Sequence, residues 1–95
     1  MISCIITNYN HSQFTIEAYT SLLKQTLQPN EIIIVDDKST DDSVSFIQTY
    51  LEQTNPNIPT KFLTRKTNGG SASARNTGLS ELDYNSEFVC LLDGD

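Results

Sequence analysis

The sequence predicts a single α/β domain with an open, mostly parallel sheet of four strands joined by three crossover helices. Four apolar runs, rich in β-branched and aromatic residues, begin at Ile2, Glu31, Thr60 and Glu87. Their starts lie roughly 30 residues apart, which leaves room for a helix between successive parallel strands. The runs do not alternate strictly between apolar and polar residues, as is typical of strands buried on both faces. The predicted order is therefore β-α-β-α-β-α-β, a Rossmann-like arrangement.

The first predicted helix lies between the first two apolar runs. Ile16, Tyr19, Leu23 and Leu27 recur at intervals of three or four residues, so they share one face of a helix. Pro29 cannot continue a helix, and we expect the helix to end before it.

The second helix is predicted from the same spacing in the second gap. Val44, Ile47 and Leu51 form its apolar face. Ser39 or Thr40 is the expected N-cap, and Asp41 and Asp42 are expected to favour the helix N-terminus. The third helix is expected to follow a turn at Gly69 and Gly70, with Ser71 as its cap and with Gly78 costing about 1 kcal/mol relative to alanine. The residues of the third helix region expected to face inward are Ala72, Leu79 and Leu82.

Composition narrows the class of protein. Of 95 residues, 37% are hydrophobic, which suits a globular domain with a core. The net charge of −6 argues against a nucleic-acid-binding surface. No apolar run approaches the roughly 20 residues of a membrane-spanning helix, and no signal peptide pattern is present, so we expect Met1 to be a cytoplasmic start.

Cys4 and Cys90 lie within apolar runs and are expected to pack in the core.

Polar residues follow each predicted strand. Because the carboxyl ends of parallel strands meet at one edge of a sheet, where ligands bind, we expect these residues to lie together. They are the segments 7–10 (TNYN), 36–37 (DD), 65–70 (RKTNGG) and 93–95 (DGD).

Two carboxylates, Asp93 and Asp95, give the sharpest chemical signal. Residues two apart on an extended chain project to the same side, and Gly94 between them allows a ligand to approach the backbone. Paired carboxylates repel unless a hard cation lies beside them, and Mg²⁺ or Mn²⁺ typically combines few protein carboxylates with phosphate oxygens. The pair therefore predicts a divalent cation with a diphosphate.

The segment NGGSASAR is a candidate partner for such an anion. Backbone amides at a helix N-terminus carry partial positive charge, and Arg75, about one turn into the helix, is positioned to reach a phosphate or the acidic pair. Arg65 and Lys66 are further candidates for phosphate contacts, although exposed basic residues on a loop are usually only solvated. Asp36 and Asp37 stand where α/β sheets place an acid that accepts hydrogen bonds from a ribose or base.

Other nucleotide sites are not supported by the sequence. The first turn has no G-x-G-x-x-G for a dinucleotide, and no P-loop motif is present. His11, the single histidine, is assigned to the start of the first helix rather than to a metal site, and Tyr9 is equally suited to stacking on a base or to packing.

Taken in order, the segments IITNYNHSQ, VDDKSTDDS, TNGGSASARNTGL and FVCLLDGD resemble the amino-terminal half of family 2 glycosyltransferases of the GT-A fold. The resemblance covers essentially the whole chain. It implies a nucleotide-sugar-binding half over residues 1–95 that is cut after the D-x-D motif, Asp93-Gly94-Asp95. Lys38 departs from the glycine usual after the paired acids, which puts only the local turn in doubt.

The resemblance also implies roles for individual residues. Asp95 is expected to bind the metal, Mn²⁺ or Mg²⁺, together with Asp93. No catalytic residue is assigned, because the family places the general base beyond this chain. The residues implied in nucleotide binding are Thr7, Tyr9, Asn10, Asp36, Asp37, Asn68, Gly70, Arg75 and Asp93.

The implied reaction is inverting transfer of a sugar from a nucleotide-diphosphate donor, with UDP expected, to an acceptor hydroxyl or amine. The acceptor, a saccharide or a lipid-linked molecule, would be bound by the half that this chain lacks. Two alternatives remain: a receiver-like, Mg²⁺-binding signalling module, and a non-catalytic piece that self-associates through an exposed sheet edge. The receiver alternative is disfavoured, because its expected acids after the first and third strands are replaced by TNYN and RKTN.

Overall fold

The computed structural model describes residues 1–54 and 56–93, with the backbone alone for residue 93. Within these residues, the sheet has the order β3-β2-β1-β4, and every described strand pair is parallel. The predicted fold class and element order are confirmed. No helix in this part of the chain combines the length and apolar character needed to cross a membrane. The elements are β1 (Ile2–Asn8), α1 (Ser12–Lys24), β2 (Glu31–Asp36), α2 (Ser43–Thr54), β3 (Thr60–Thr64), α3 (Ser71–Ser80) and β4 (Phe88–Asp93).

The strand order decides which face each helix covers. The chain steps from β1 to β2 to β3 in one direction, and Tyr19 of α1 and Ile47 of α2 pack on the same face of the sheet. It then returns past β1 to β4, and Ala74 of α3 packs on the opposite face. Crossovers between parallel strands are right-handed, so a reversal of direction moves the helix to the other face. Such a reversal opens a crevice at the carboxyl edge, beside β1.

The core is built on β1 and β2. Cys4 and Ile6 face α1 and α2, whereas Ile5 faces α3, and all three side chains are buried. In β2, the side chains of Ile32 and Ile34 lie on the α1 and α2 side, and both are fully buried. Burial on both faces is therefore confirmed for the two central strands.

The same prediction is wrong for both edge strands of the described sheet: β3 has no buried residue, and β4 is exposed as well. This strand lies at an edge of the described sheet, and Phe88 is 66% exposed and Leu91 46% exposed. Cys90 pairs in register with Cys4 but is exposed, so the predicted core position is confirmed for Cys4 and wrong for Cys90. An apolar run does not distinguish a central strand from an edge strand, because both have similar residues.

Helix α1 is shorter than its apolar spacing suggests. It begins after His11, as predicted, and ends at Lys24, where Gln25 takes an extended backbone conformation. Leu27 therefore lies outside the helix and is 78% exposed, which corrects its assignment to the inward face. Tyr19 is fully buried, and its hydroxyl forms a hydrogen bond with Thr60 at 2.8 Å.

The start of α2 is held by an aspartate rather than by the predicted caps. The backbone N–H of Ser43 donates to Oδ1 of Asp41 at 2.8 Å. Ser39 and Thr40 lie upstream and bind the loop after β1, so the predicted N-cap was wrong. Ile47 is the buried residue of the predicted apolar face.

Helix α3 packs on the sheet through its smallest residues. Its N-cap is Gly70, with φ 88°, and Ser71 is the first helical residue rather than the cap. The buried residues are Ala74 and Gly78, which allow the helix backbone to approach the sheet closely. Of the residues predicted to face inward, Leu82 packs against this part of the core, whereas Ala72 and Leu79 are exposed.

Candidate functional site

A cavity of about 220 Å³ opens at the carboxyl edge of the sheet, on the α3 side. It lies where the return of the chain to β4 opens the crevice beside β1, the position at which open α/β sheets bind ligands. Its volume is somewhat below that of typical ligand pockets, so it suits one part of a larger ligand. The lining residues are Thr7, Asn8, Tyr9, Asp37, Asn68, Gly70, Ser71 and Ala74.

Asp37 is the charged residue of this cavity lining, and its side chain is only 4% exposed. Oδ1 accepts hydrogen bonds from Nη1 of Arg65 at 2.5 Å and from the N–H of Gly69 at 3.2 Å. Oδ2 accepts a hydrogen bond from the N–H of Gly70 at 2.8 Å. The carboxylate thus joins the end of β2 to the loop that leads into α3, and its orientation is fixed by three donors.

The side chain of Asp36 does not line the cavity, and it is fully buried. Its Oδ1 accepts hydrogen bonds from Nδ2 of Asn8 at 2.8 Å and from Oγ of Ser39 at 2.6 Å, and its Oδ2 accepts from the N–H of Ser39 at 2.9 Å. The hydroxyl of Thr15, at the start of α1, donates to Oδ1 of Asn8 at 2.6 Å. Asp36 therefore ties β1, α1 and the loop after β2 together, and it does not line the cavity.

The loop after β1 is held against the loop after β2 by Asn10. Its backbone N–H donates to Oγ of Ser39, and its Oδ1 accepts hydrogen bonds from the N–H groups of Thr40 and Asp41. Asn10 has φ 56°, in the left-handed region that asparagine tolerates better than most residues. This anchoring positions Tyr9, which lines the cavity and is 41% exposed.

Arg75 folds back on the start of its own helix. Nε donates to the carbonyl oxygen of Ser71 at 3.3 Å, and the guanidinium group does not line the cavity. Arg65, a predicted phosphate contact, forms an ion pair with Asp37.

The expected metal ligands fall mostly outside the described residues. Asp95 and Gly94 are not described, and for Asp93 the backbone alone is placed, in register with Thr7 of β1. This register puts residue 93 next to a residue of the cavity lining. Among the described side chains, no group of three His, Cys, Asp or Glu residues is placed to hold a metal ion.

The structure thus gathers five of the predicted site residues around one cavity: Thr7, Tyr9, Asp37, Asn68 and Gly70. Asn10, Asp36 and Arg75 lie nearby without lining it. Sequence reasoning missed Asn8, Ser71 and Ala74 as lining residues. Asn8 lies between two predicted residues, and Ser71 and Ala74 follow Gly70, so their proximity along the chain was the available signal.

Comparison with known proteins shows which proteins this chain is similar to. A profile of the family described as Glycosyl transferase family 2 matches residues 3–95. Glycosyltransferase GlyG from Streptococcus pneumoniae serotype 4 is 35% identical over 95 residues, which are 100% of this chain and 30% of that protein. A poly-beta-1,6-N-acetyl-D-glucosamine synthase from Staphylococcus epidermidis is 32% identical over 94 residues, 99% of this chain and 21% of that protein. The chain thus spans less than a third of these relatives.

Solved structures share the fold. The mannosyltransferase PcManGT from Pyrobaculum calidifontis, in complex with GDP-Man and Mn²⁺, has a TM-score of 0.85 and 26% identity, covering 99% of this chain and 27% of that one. S. aureus TarS in complex with UDP has a TM-score of 0.78 and 32% identity, covering 99% of this chain and 27% of that one. The family profile matches nearly every residue, and the sheet and helices are those of glycosyltransferases of the GT-A fold. The chain therefore belongs to glycosyl transferase family 2.

Proposed function

We propose that this chain is the donor-binding part of a glycosyltransferase and that it binds a nucleotide-diphosphate sugar, with UDP as the expected nucleotide, through a divalent cation. The observation that carries the proposal is that Thr7, Tyr9, Asp37, Asn68 and Gly70 line one and the same cavity at the carboxyl edge. These residues come from three separate segments of the chain.

The carboxylate of Asp37 is suited to accept a hydrogen bond from the base of the nucleotide. A carboxylate offers about four acceptor positions, and three are already used by Arg65, Gly69 and Gly70. The remaining position suits an imino N–H, which uracil carries at N3 and guanine at N1, and which cytosine and adenine lack on that edge. Tyr9 supplies an aromatic ring at the rim of the same cavity, available for stacking.

In this proposal the D-x-D motif binds the cation, and the cation binds the diphosphate of the donor. Residue 93 lies in register with Thr7, so the motif begins beside the cavity. Asp93 and Asp95 would hold Mn²⁺ or Mg²⁺, which would stabilise negative charge on the leaving diphosphate. Support comes from two proteins of the same fold, PcManGT with GDP-Man and Mn²⁺ and TarS with UDP.

The rest of the reaction requires parts that the relatives have beyond the matched region. We assign acceptor binding, whether of a saccharide or a lipid-linked molecule, and the catalytic base to those parts. Inverting transfer to a hydroxyl or amine, in the cytoplasm, completes the proposed activity.

Self-association through β4 is a second candidate. Within the described sheet β4 lies at an edge, and Phe88, Val89 and Leu91 are exposed on it. Unpaired strand edges with apolar side chains are templates for pairing with another chain. Sedimentation equilibrium over a range of concentrations tests this: a concentration-independent monomer mass would rule it out.

Calorimetric titration of the folded chain with UDP in the presence of Mn²⁺ tests the donor-site proposal. We expect weak but measurable binding, and we expect Asp37→Asn to weaken it about tenfold or more, because an amide cannot replace all the acceptor positions of a carboxylate. Glu52→Gln is the matched control, since it removes one negative charge from an exposed position on α2. Absence of UDP binding at millimolar ligand, with a folded wild-type chain, would contradict the proposal.

A further inference from the structure

Arg65 contacts the carboxylate that we assign to base recognition, although Arg65 itself does not line the cavity. Its Nη1 lies 2.5 Å from Oδ1 of Asp37, and its own backbone N–H donates to the carbonyl oxygen of Asp36 at 2.8 Å. The side chain of Arg65 is 19% exposed and does not line the cavity. The two side chains thus form a mostly buried ion pair next to the cavity. In such a pair the planar guanidinium fixes the orientation of the carboxylate.

The contacts of Asp37 differ between its two oxygens. Oδ1 is occupied by Arg65 and by the N–H of Gly69, neither of which lines the cavity. Oδ2 receives the N–H of Gly70, which does line the cavity. The acceptor position that remains is therefore on Oδ2, the oxygen on the cavity side.

Gly69 makes room for this arrangement. A Cβ at position 69 would lie 2.9 Å from Nη1 of Arg65 and 2.9 Å from Cβ of Ser73, closer than such atoms approach in proteins. Gly69 does not have a positive φ, so its backbone conformation alone does not require glycine. The missing Cβ therefore leaves room both for the guanidinium of Arg65 and for the side chain of Ser73.

We infer that Arg65 is a positioning residue for base selectivity: it holds Oδ1 of Asp37 so that the carboxylate presents Oδ2 in one fixed orientation to the base. The inference rests on the proposed function. A fixed acceptor binds the N3–H of uracil but repels the N3 lone pair of cytosine. A carboxylate released from Arg65 can turn away from that lone pair, so its ability to reject cytosine falls.

The test compares binding of UDP and of CDP, each with Mn²⁺, to the 95-residue chain and to its variants. We expect the wild type to prefer UDP by about tenfold or more, and Arg65→Met to reduce that preference to about threefold or less. Arg65→Lys keeps the charge without the forked donor and should give an intermediate ratio. Gly69→Ala keeps the guanidinium but displaces it, and should also lower the ratio, which provides a second variant if Arg65→Met does not fold.

Lys66→Met is the matched control, because Lys66 is an exposed cation of the same loop that is not among the donors to Asp37. It should leave the UDP to CDP ratio unchanged. If a folded Arg65→Met or Gly69→Ala variant binds both nucleotides more weakly but with the wild-type ratio, Arg65 is only structural and the inference is wrong. If the wild type binds neither nucleotide, the proposed function fails and the inference fails with it.

Discussion

The α-carbon of Gly78 in α3 packs directly on Ile5 of the central strand: a Cβ at position 78 would lie 2.7 Å from Cγ2 of Ile5. Glycine in a helix costs about 1 kcal/mol relative to alanine. Here, however, the missing side chain sets the distance between helix and sheet, and through it the position of the α3 N-terminus at the cavity.

Gly78→Ala should therefore destabilise the protein in spite of its better helix propensity. Overpacking a core costs about 1–3 kcal/mol, and alanine gains about 1 kcal/mol in helix propensity over glycine. Because the clash with Ile5 is severe, we expect the free energy of unfolding to fall by up to about 2 kcal/mol. Urea denaturation measures the change. Asn76→Ala, on the exposed side of the same helix, is the control and should be neutral or stabilising. A Gly78→Ala protein as stable as the wild type would show that the helix can move away from Ile5 without loss.

Asp36→Asn should destabilise the fold by about 2 kcal/mol, the usual cost of leaving a buried polar group unsatisfied. Whichever oxygen becomes the amide, its N–H groups face a donor, either Nδ2 of Asn8 or the N–H of Ser39. Denaturation curves of Asp36→Asn and of the exposed-site control Asp42→Asn provide the comparison. If Asp36→Asn keeps wild-type stability but loses nucleotide affinity, Asp36 is a ligand and not part of the scaffold.

Lys38→Gly should stabilise the protein by about 0.5–1 kcal/mol. Lys38 has φ 58° and is exposed, and a left-handed conformation costs a non-glycine residue roughly 1–2 kcal/mol, which the greater freedom of glycine in the unfolded chain partly offsets. Asn10→Gly is the contrast, because φ is 56° there too but the side chain binds Thr40 and Asp41. We expect that variant to be less stable than the wild type. A destabilised Lys38→Gly would mean that the lysine side chain contributes more than its backbone costs.

The stability of the protein should fall as the pH rises from about 9 toward 12, in part because of Cys4. Burial, together with the neighbouring Cys90, raises the pKa of the Cys4 thiol from 9.0 to about 12. Between these values the unfolded chain loses the proton and the folded chain keeps it, so each pH unit favours unfolding by up to about 1.4 kcal/mol. Cys4→Ala should have a shallower decline over this range. Parallel stability–pH curves for the two proteins would show that Cys4 does not contribute.

The positions of the strands could be predicted from the sequence because each strand forms an apolar run, and the two central strands, β1 and β2, are buried on both faces. The exposure of β4 could not, because Phe88 and Leu91 have the composition of a core strand although the strand lies at an edge. The end of α1 was also missed: Leu27 continues the helical spacing, but the chain leaves the helix after Lys24. Spacing alone does not locate the residue at which the backbone changes conformation.

Part of the site could likewise be predicted. Asp37 could be predicted because it follows a strand at the carboxyl edge. Its pairing with Arg65 could not, because the contact joins residues 28 positions apart. Asp36 was grouped with Asp37, yet neighbouring residues at a strand end point in different directions, and only one of the two lines the cavity. The D-x-D assignment stays a prediction, since Asp95 lies outside the described residues.

The proposed donor site requires that a cation bound by the D-x-D motif lie beside the cavity lined by Asp37. Paramagnetic broadening by Mn²⁺ in the presence of UDP, measured on the backbone amide signals of the folded chain, tests this most directly. We predict the strongest UDP-dependent broadening at Thr7, Gly70 and Asp93, and little at Leu27 or Thr54, which lie away from the carboxyl edge of the sheet. Broadening that is centred elsewhere, or that does not depend on UDP, would contradict the proposed donor site.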